Sequence, residues 1–309
     1  MALAGQLQWN EGANEIELWW GFARVARDLL PWRNERDPWR ILVSEVMLAQ
    51  TQATRVAERY PAVISRMNSP ATTAELSTAE LLELWSGLGY YRRALSLRAT
   101  AVIIRDRYDG IMPSELSRLL ELPGVGPYTA RAILAFAFDR PVGVLDTNIG
   151  RVLALAIAGE SLSRTNAQLL ADDIVASRRP RHWNLALMDF GATICGARTP
   201  RCGDCPVGSA GHCAWKNAGG SDPAIGSAAT SRPQARFQGS DREGRGRLLR
   251  AALSGPVRTS LLASTTGWPE DRPRAERVAA QLVEEGLLVT TDGGAFVVSK
   301  VTSSISDSV

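Results

Sequence analysis

Lysine is almost missing from this sequence. Of its 35 lysine and arginine residues only Lys216 and Lys300 are lysine, so the first 215 residues contain none. Whatever its origin, the bias restricts the chemistry: a side-chain Schiff base cannot form where there is no lysine. Cysteine is scarce as well, and Cys195, Cys202, Cys205 and Cys213 all fall within nineteen positions. Cysteines so bunched cannot tie distant parts of a fold together, which excludes a secreted disulfide scaffold and favours a metal or cluster site. No run approaches the roughly 18 apolar residues of a membrane span. The N-terminus also lacks the basic segment followed by an apolar one of a secretory leader. The expectation is a soluble, cytoplasmic protein. A net charge of +3 is too small to identify a polyanionic partner, whose usual footprint is a clustered basic patch.

What is there is ordinary globular composition, 45% hydrophobic and 22% charged, in a chain long enough for one substantial core and a second smaller one. Helical periodicity dominates the first 215 residues, and none of them makes a persuasive buried strand. Glu15 to Leu30 reads as an amphipathic helix. Asp37 and Pro38 read as a cap and first-turn proline for a helix running to about Gln50, and "STAELLELWSG" opens on a Ser77/Glu80 capping box and closes at Gly87. Further helices fit "ELSRLLEL" behind Ser114, "YTARAILAFAF", "TNIGRVLALAI", "NAQLLADDIVASR" and "WNLALMDFGATIC". Residues 218–236, rich in Gly, Ala, Ser and Pro, suit a linker. After them come three short helical stretches and "LVTTDGGAFVV", a hairpin pattern, together the outline of a winged-helix-like module over 237–300. Its arginines from Arg236 to Arg250 could touch phosphates or form a solvated face. The tail over 301–309 reads as disordered.

Four features carry chemistry. In "ILVSEVML" Glu45 shares a helix face with Ile41, Leu42 and Leu48, so a carboxylate is aimed at apolar surroundings. "LPGVGPYTA" sets Gly124 and Gly126 in a tight turn between helices; this is a common turn, and also one whose free amides can hold a phosphate. "VLDTNIGRV" puts Asp146 ahead of a helix, as an N-cap, a directed carboxylate, or both. The spacing Cys-x6-Cys-x2-Cys-x7-Cys suits either zinc or an iron-sulfur cluster, with His212 as an alternative zinc ligand.

Taken in order, "LPWR", "SEVMLAQTQ", "GLGYYRRA", "LPGVGPYTA", "VLDTNIGRVLA", "LMDFGATIC" and the cysteine run closely resemble, across about 200 residues, the helix-hairpin-helix glycosylases of base excision repair. Within them the likeness is to the adenine DNA glycosylases of the MutY type. The resemblance implies an all-α, two-lobed fold over residues 1–217, a 4Fe-4S cluster on the four cysteines, and double-stranded DNA containing mispaired adenine as partner of a monomer. It implies that Glu45 protonates the flipped adenine, for which apolar surroundings would keep its proton on near neutral pH. Asp146 would stay ionised beside the positive sugar, with Asn148 in support. Tyr128 matches the position that carries a nucleophilic lysine in bifunctional relatives, so a lysine-based lyase step is not expected. Tyr90 and Gln50 would wedge into the duplex, and Trp32 and Arg33 would approach the adenine.

The sequence also departs from the family. Thr147 stands where adenine glycosylases commonly have glycine, and Ala49 where a second glutamine is usual. Leu185 replaces a Glu or Gln that bonds the exocyclic amine, and the last cysteine spacing is x7 instead of x5. No counterpart of the family's Nudix-like domain follows the linker. Two competing readings therefore stand beside adenine removal: a thymine or uracil glycosylase acting on G mispairs, and a non-catalytic iron-sulfur DNA-binding protein.

Overall fold

The computed structural model describes residues 14, 16, 30–175, 179–227, 230 and 236–299. The helix expected over Glu15 to Leu30 falls outside the described residues apart from its ends, and the tail after Lys300 falls outside them entirely. Among the described residues the chain runs through α1 (Pro38–Leu48), α2 (Ala53–Arg66), α3 (Pro70–Ala74), α4 (Thr78–Leu84), α5 (Arg92–Arg107), α6 (Leu116–Leu120) and α7 (Pro127–Phe136). It continues through α8 (Thr147–Val152), a π-helical turn (Leu153–Ala158), α9 (Arg164–Val175) and α10 (Pro180–Thr193). The cysteine loop carries the short helices α11 (Pro206–Ser209) and α12 (Ala214–Ala218). The remainder is α13 (Asp241–Ser254), β1 (Val257–Arg258), α14 (Leu262–Thr266), α15 (Arg272–Glu284), β2 (Leu288–Thr290) and β3 (Ala295–Val298). No described helix is long and apolar enough to cross a membrane.

Local chemistry starts these helices. Asp37 accepts the Arg40 N–H at 3.0 Å ahead of α1. At α4 the capping box is complete: Ser77 Oγ accepts the Glu80 N–H while the Glu80 carboxylate accepts the Ser77 N–H at 2.9 Å. Each satisfies a backbone donor that the first helical turn cannot pair by itself.

The chain divides into two compact units. The first comprises residues 1–41, 114–120 and 125–233. There α10 packs on α7 and α8 around fully buried Trp183, Phe190, Ile133 and Ile149. Ser161 Oγ donates to Pro223 O at 2.8 Å and the Leu162 N–H donates to Ser227 Oγ at 3.0 Å, so the early part of segment 218–236 forms a 3-10 turn packed on this unit.

The second unit comprises residues 42–113, 121–124 and 234–309. Its helical part centres on Met47, Leu81, Leu82, Trp85, Leu97 and Ile104, all buried to within 1%; burying a side chain of this kind contributes about 1.5–3 kcal/mol. Its C-terminal part has the winged-helix order of helix, strand, two helices and hairpin, and the sheet runs β1–β3–β2 with both pairings antiparallel. The expected hairpin is β2–β3, in register Val289 to Val297. Strand β1, only two residues long, was not anticipated from the sequence. Within this unit α13 packs on α14, α15 and also on α4.

Candidate active site and cysteine loop

In the second unit α1 holds Glu45 at 8% exposure, between Ser44 at 2% and Met47 and Leu42 at 0%. The helix ends at Leu48 and the chain turns sharply: Gln50 is exposed with φ of 62°. A second sharp turn, built on Gly87 and Gly89 in the left-handed region, presents Tyr90 with φ of 48° and 41% exposure. Only four described non-glycine residues have positive φ, and Gln50 and Tyr90 are two of them. Such backbone costs about 1–3 kcal/mol per residue and gathers where function over-determines the conformation.

What holds both turns is a residue that sequence reasoning passed over. Arg93 donates through Nη1 to the carbonyls of Val46 (2.6 Å), Met47 (3.0 Å) and Ala49 (2.5 Å). Its Nη2 donates to Leu88 O, Gly89 O and Thr51 Oγ1, each at 3.0 Å. One guanidinium thus caps the carbonyl end of α1 and stitches the Gln50 turn to the Tyr90 turn. Burial lowers its pKa to about 10, with Tyr90 acting the other way, so it remains charged at neutral pH. The only sequence signal was the pair of arginines, Arg92 and Arg93, directly after the aromatic turn. Arg93→Ala should cost about 2–3 kcal/mol in chemical denaturation, because five carbonyls, most of them partly buried, lose their donor at once. A loss below about 0.5 kcal/mol, the range of ordinary surface substitutions, would refute this stitching role.

The hairpin turn is also built in this unit as far as Gly124. That residue has φ of 76°, and an added Cβ would lie 2.8 Å from Ser96 Cβ, so only glycine fits. Gly126 meets no such wall; it is exposed in extended backbone as the N-cap of α7, whose first turn no side chain caps.

In the first unit Asp146 ends an extended segment pinned at three points: the Gly143 N–H by Asp172 (2.8 Å), the Val144 N–H by Asn184 Oδ1 (2.8 Å), and Val142 O by Asn184 Nδ2 (3.1 Å). Asp146 Oδ1 accepts the Ile149 N–H at 2.7 Å as the cap of α8, and Oδ2 accepts Asn148 Nδ2 at 3.0 Å. Burial pushes the Asp146 pKa up, opposed by those hydrogen bonds and by the charge of Arg151. Arg151 in turn donates to Asn148 Oδ1 (3.2 Å), Gly191 O and Cys195 O (2.5 Å), joining the Asp146 turn to the start of the cysteine loop. It is the only charged residue between Asp146 and Glu160, a signal that could have been read. Gly191 allows that close approach, since a Cβ there would lie 2.7 Å from Asn148 O.

Also in this unit, Trp32 is 9% exposed and Arg33 is ion-paired with Asp189 of α10 while its carbonyl accepts from Arg181. Arg33 Nη1 is buried without a hydrogen-bond partner among the described residues. Tyr128 lies half-buried in the first turn of α7, and Leu185 half-buried on α10.

The four cysteines lie in one loop of this unit. Burial raises the Cys195 thiol to about 12, the Arg151 charge drawing it back and the other three thiols raising it further. Cys205 is likewise raised by burial, and its Sγ accepts the Gly208 N–H at 3.4 Å. The thiols are close enough to influence one another's ionisation, yet no three His, Cys, Asp or Glu side chains among the described residues converge on one metal ion.

Residues 43–167 match the model of the HhH-GPD superfamily base excision DNA repair proteins. The chain is 38% identical to the adenine DNA glycosylase of Mycolicibacterium smegmatis over 288 residues, covering 91% of this chain and 94% of that one. This chain belongs to the adenine DNA glycosylases. The counterpart in Mycobacterium tuberculosis is 40% identical over 89% of this chain and 90% of its own length. Matches this long must run into the C-terminal module, whereas the human adenine DNA glycosylase, at 38% identity, matches 58% of this chain and 36% of its own. Among solved structures, a thermostable thymine-DNA glycosylase aligns at 27% identity with a TM-score of 0.63, covering 70% of this chain and all of that one. A non-covalent endonuclease III–DNA complex aligns at 23% identity with a TM-score of 0.51, a likeness of fold.

Proposed function

We propose that the protein hydrolyses the N-glycosidic bond of adenine mispaired with 8-oxoguanine or guanine in duplex DNA, acting as a monomer in the cytoplasm. Family membership along 91% of the chain carries this reading. Residues 1–217 form the catalytic region, 218–236 the linker and 237–300 the appended module. In this scheme Glu45 gives its proton to the adenine, the C–N bond breaks with its electron pair leaving on the base, and the Asp146 carboxylate stabilises the positive sugar. Water then adds at the sugar carbon and an abasic site remains. Asn148 orients Asp146, a role supported by their 3.0 Å hydrogen bond. Tyr128 stands where a lysine nucleophile would be needed, and no lysine precedes Lys216, so no lyase step follows.

Tyr90 and Gln50 act as the wedges, supported by their exposure and left-handed backbone. Trp32 and Arg33 line the base pocket, the buried Nη1 of Arg33 being available to an acceptor on the base. Gly124 and Gly126 offer hairpin amides to a phosphate. The four cysteines supply the four thiolates that a 4Fe-4S cluster needs, in one loop, which is the cofactor that the family resemblance implies. Bound there, the cluster would supply iron–thiolate bonds that order the loop.

The test is single-turnover cleavage, with alkali to reveal abasic sites, on duplexes holding A:8-oxoguanine, A:G, A:C, T:G and U:G. Anaerobically purified protein should carry about four iron atoms per chain and cut only the adenine strand. Release of thymine or uracil instead would favour the runner-up, to which Leu185, Thr147 and the thymine-DNA glycosylase likeness lend weight. DNA binding without any cleavage would refute the enzyme.

A further inference from the structure

The contact that carries further meaning lies between the C-terminal module and Tyr90. Arg242, in the first turn of α13, donates from Nη1 to the Tyr90 hydroxyl at 2.9 Å. Its guanidinium carbon stands 6.0 Å from the centre of the Tyr90 ring and 5.9 Å from that of Phe237, itself 59% exposed. Arg93 approaches the same tyrosine ring at 5.6 Å. Two turns further along α13 the charge of Arg250 acts on Tyr91, the next residue of the aromatic turn. One helix of the appended module therefore addresses both tyrosines of the turn.

We infer that Arg242 is a positioning residue that fixes the Tyr90 ring for insertion into the duplex, so that the C-terminal module contributes to base extrusion. The inference rests on the reading of Tyr90 as a wedge. Arg93 fixes the root of the residue by binding the carbonyls of Leu88 and Gly89, and it reaches the ring only as a cation 5.6 Å from its centre. The hydrogen bond from Arg242 to the hydroxyl adds a directional restraint on the rotation of the ring, whose residue stays 41% exposed. A side chain already held in its working orientation loses less entropy on insertion than one that must be ordered then. Arg242 acts through Tyr90 and touches neither the adenine nor its sugar.

The experiment uses the full chain and its Arg242→Ala, Arg242→Lys, Tyr90→Ala and Arg242→Ala/Tyr90→Ala variants, with melting temperatures confirming that each is folded. A duplex carrying 2-aminopurine at the target position reports extrusion by stopped-flow fluorescence, and anisotropy at several salt concentrations reports binding. Arg242→Ala should slow extrusion about five- to tenfold, as the loss of one hydrogen bond and one cation–π contact would do. The slope of log Kd against log salt should not change, since no phosphate contact is lost. Arg242→Lys, which keeps a cation able to donate to the hydroxyl, should recover most of the rate. In the Tyr90→Ala background, loss of Arg242 should add nothing. An additive loss with a shallower salt slope would overturn the inference in favour of direct phosphate binding by Arg242. Unchanged extrusion in Arg242→Ala, with Tyr90→Ala slow, would overturn the inference alone. Unchanged extrusion in Tyr90→Ala would overturn the wedge reading and the inference with it.

Discussion

Glu45→Gln should lower adenine release by about 10²- to 10⁴-fold while leaving DNA affinity within about twofold, the span expected when a positioned general acid is removed and nothing else changes. The substitution is nearly isosteric, which matters at a side chain only 8% exposed among fully buried neighbours: a truncation to alanine would open a cavity and confuse chemistry with packing. Glutamine cannot give up a proton to a leaving base, though it still fills the site and still hydrogen-bonds. Single-turnover rates, with anisotropy for affinity, decide the matter. A variant that releases adenine at more than a third of the normal rate would remove Glu45 from the mechanism. A variant that loses binding in parallel would make it a packing residue.

How much of this was legible in the sequence depended on how local the cause was. The Ser77–Glu80 box, the Asp37 cap and the β2–β3 hairpin are set by residues within a few positions of one another, and they appear where the sequence placed them. The burial of Glu45 was legible because its helical neighbours are apolar on every side. The Arg93 clamp was not, because its acceptors at the end of α1 and in the Gln50 turn lie more than forty residues upstream, and one arginine among 35 basic residues gives no sign that it is buried. Strand β1 escaped notice since two residues carry no alternation to read, and it exists only through pairing with β3. The segment over 218–236 reads by composition as a linker throughout, yet Pro223 to Ser227 pack because Ser161 and Leu162, some sixty residues away, bond to them. Arg242 is the same case at greater range: its partner Tyr90 lies 152 positions earlier.

Asp146→Asn should reduce adenine release at least about 10²-fold, the usual cost of losing a group that stabilises transition-state charge, and should leave the melting temperature unchanged or raise it. The two effects have one cause. Burial lifts the Asp146 pKa above the ordinary aspartate value of 3.8, against the pull of Ile149, Asn148 and Arg151. A carboxylate whose pKa is higher folded than unfolded makes the folded state less stable once it is ionised. That cost is absent below pH 3.8, grows as pH rises toward the folded value, and is complete above it. Asparagine removes the cost while still accepting the Ile149 N–H, since Asn caps helices as well as Asp. The stability gain should therefore be largest at neutral pH and vanish in acid. The same shift gives the proposed role of Asp146 a pH signature: if the ionised carboxylate stabilises the positive sugar, the rate should fall with decreasing pH at values above those of an ordinary aspartate. Thermal unfolding of both proteins from pH 3 to 8, beside single-turnover rates over the range where both are folded, tests each part. A variant less stable than its parent at neutral pH would show that the Asn148 hydrogen bond to Oδ2 and the attraction of Arg151 outweigh the burial cost. An acid limb at or below the ordinary aspartate value would show that the charged carboxylate is not strained in the free enzyme.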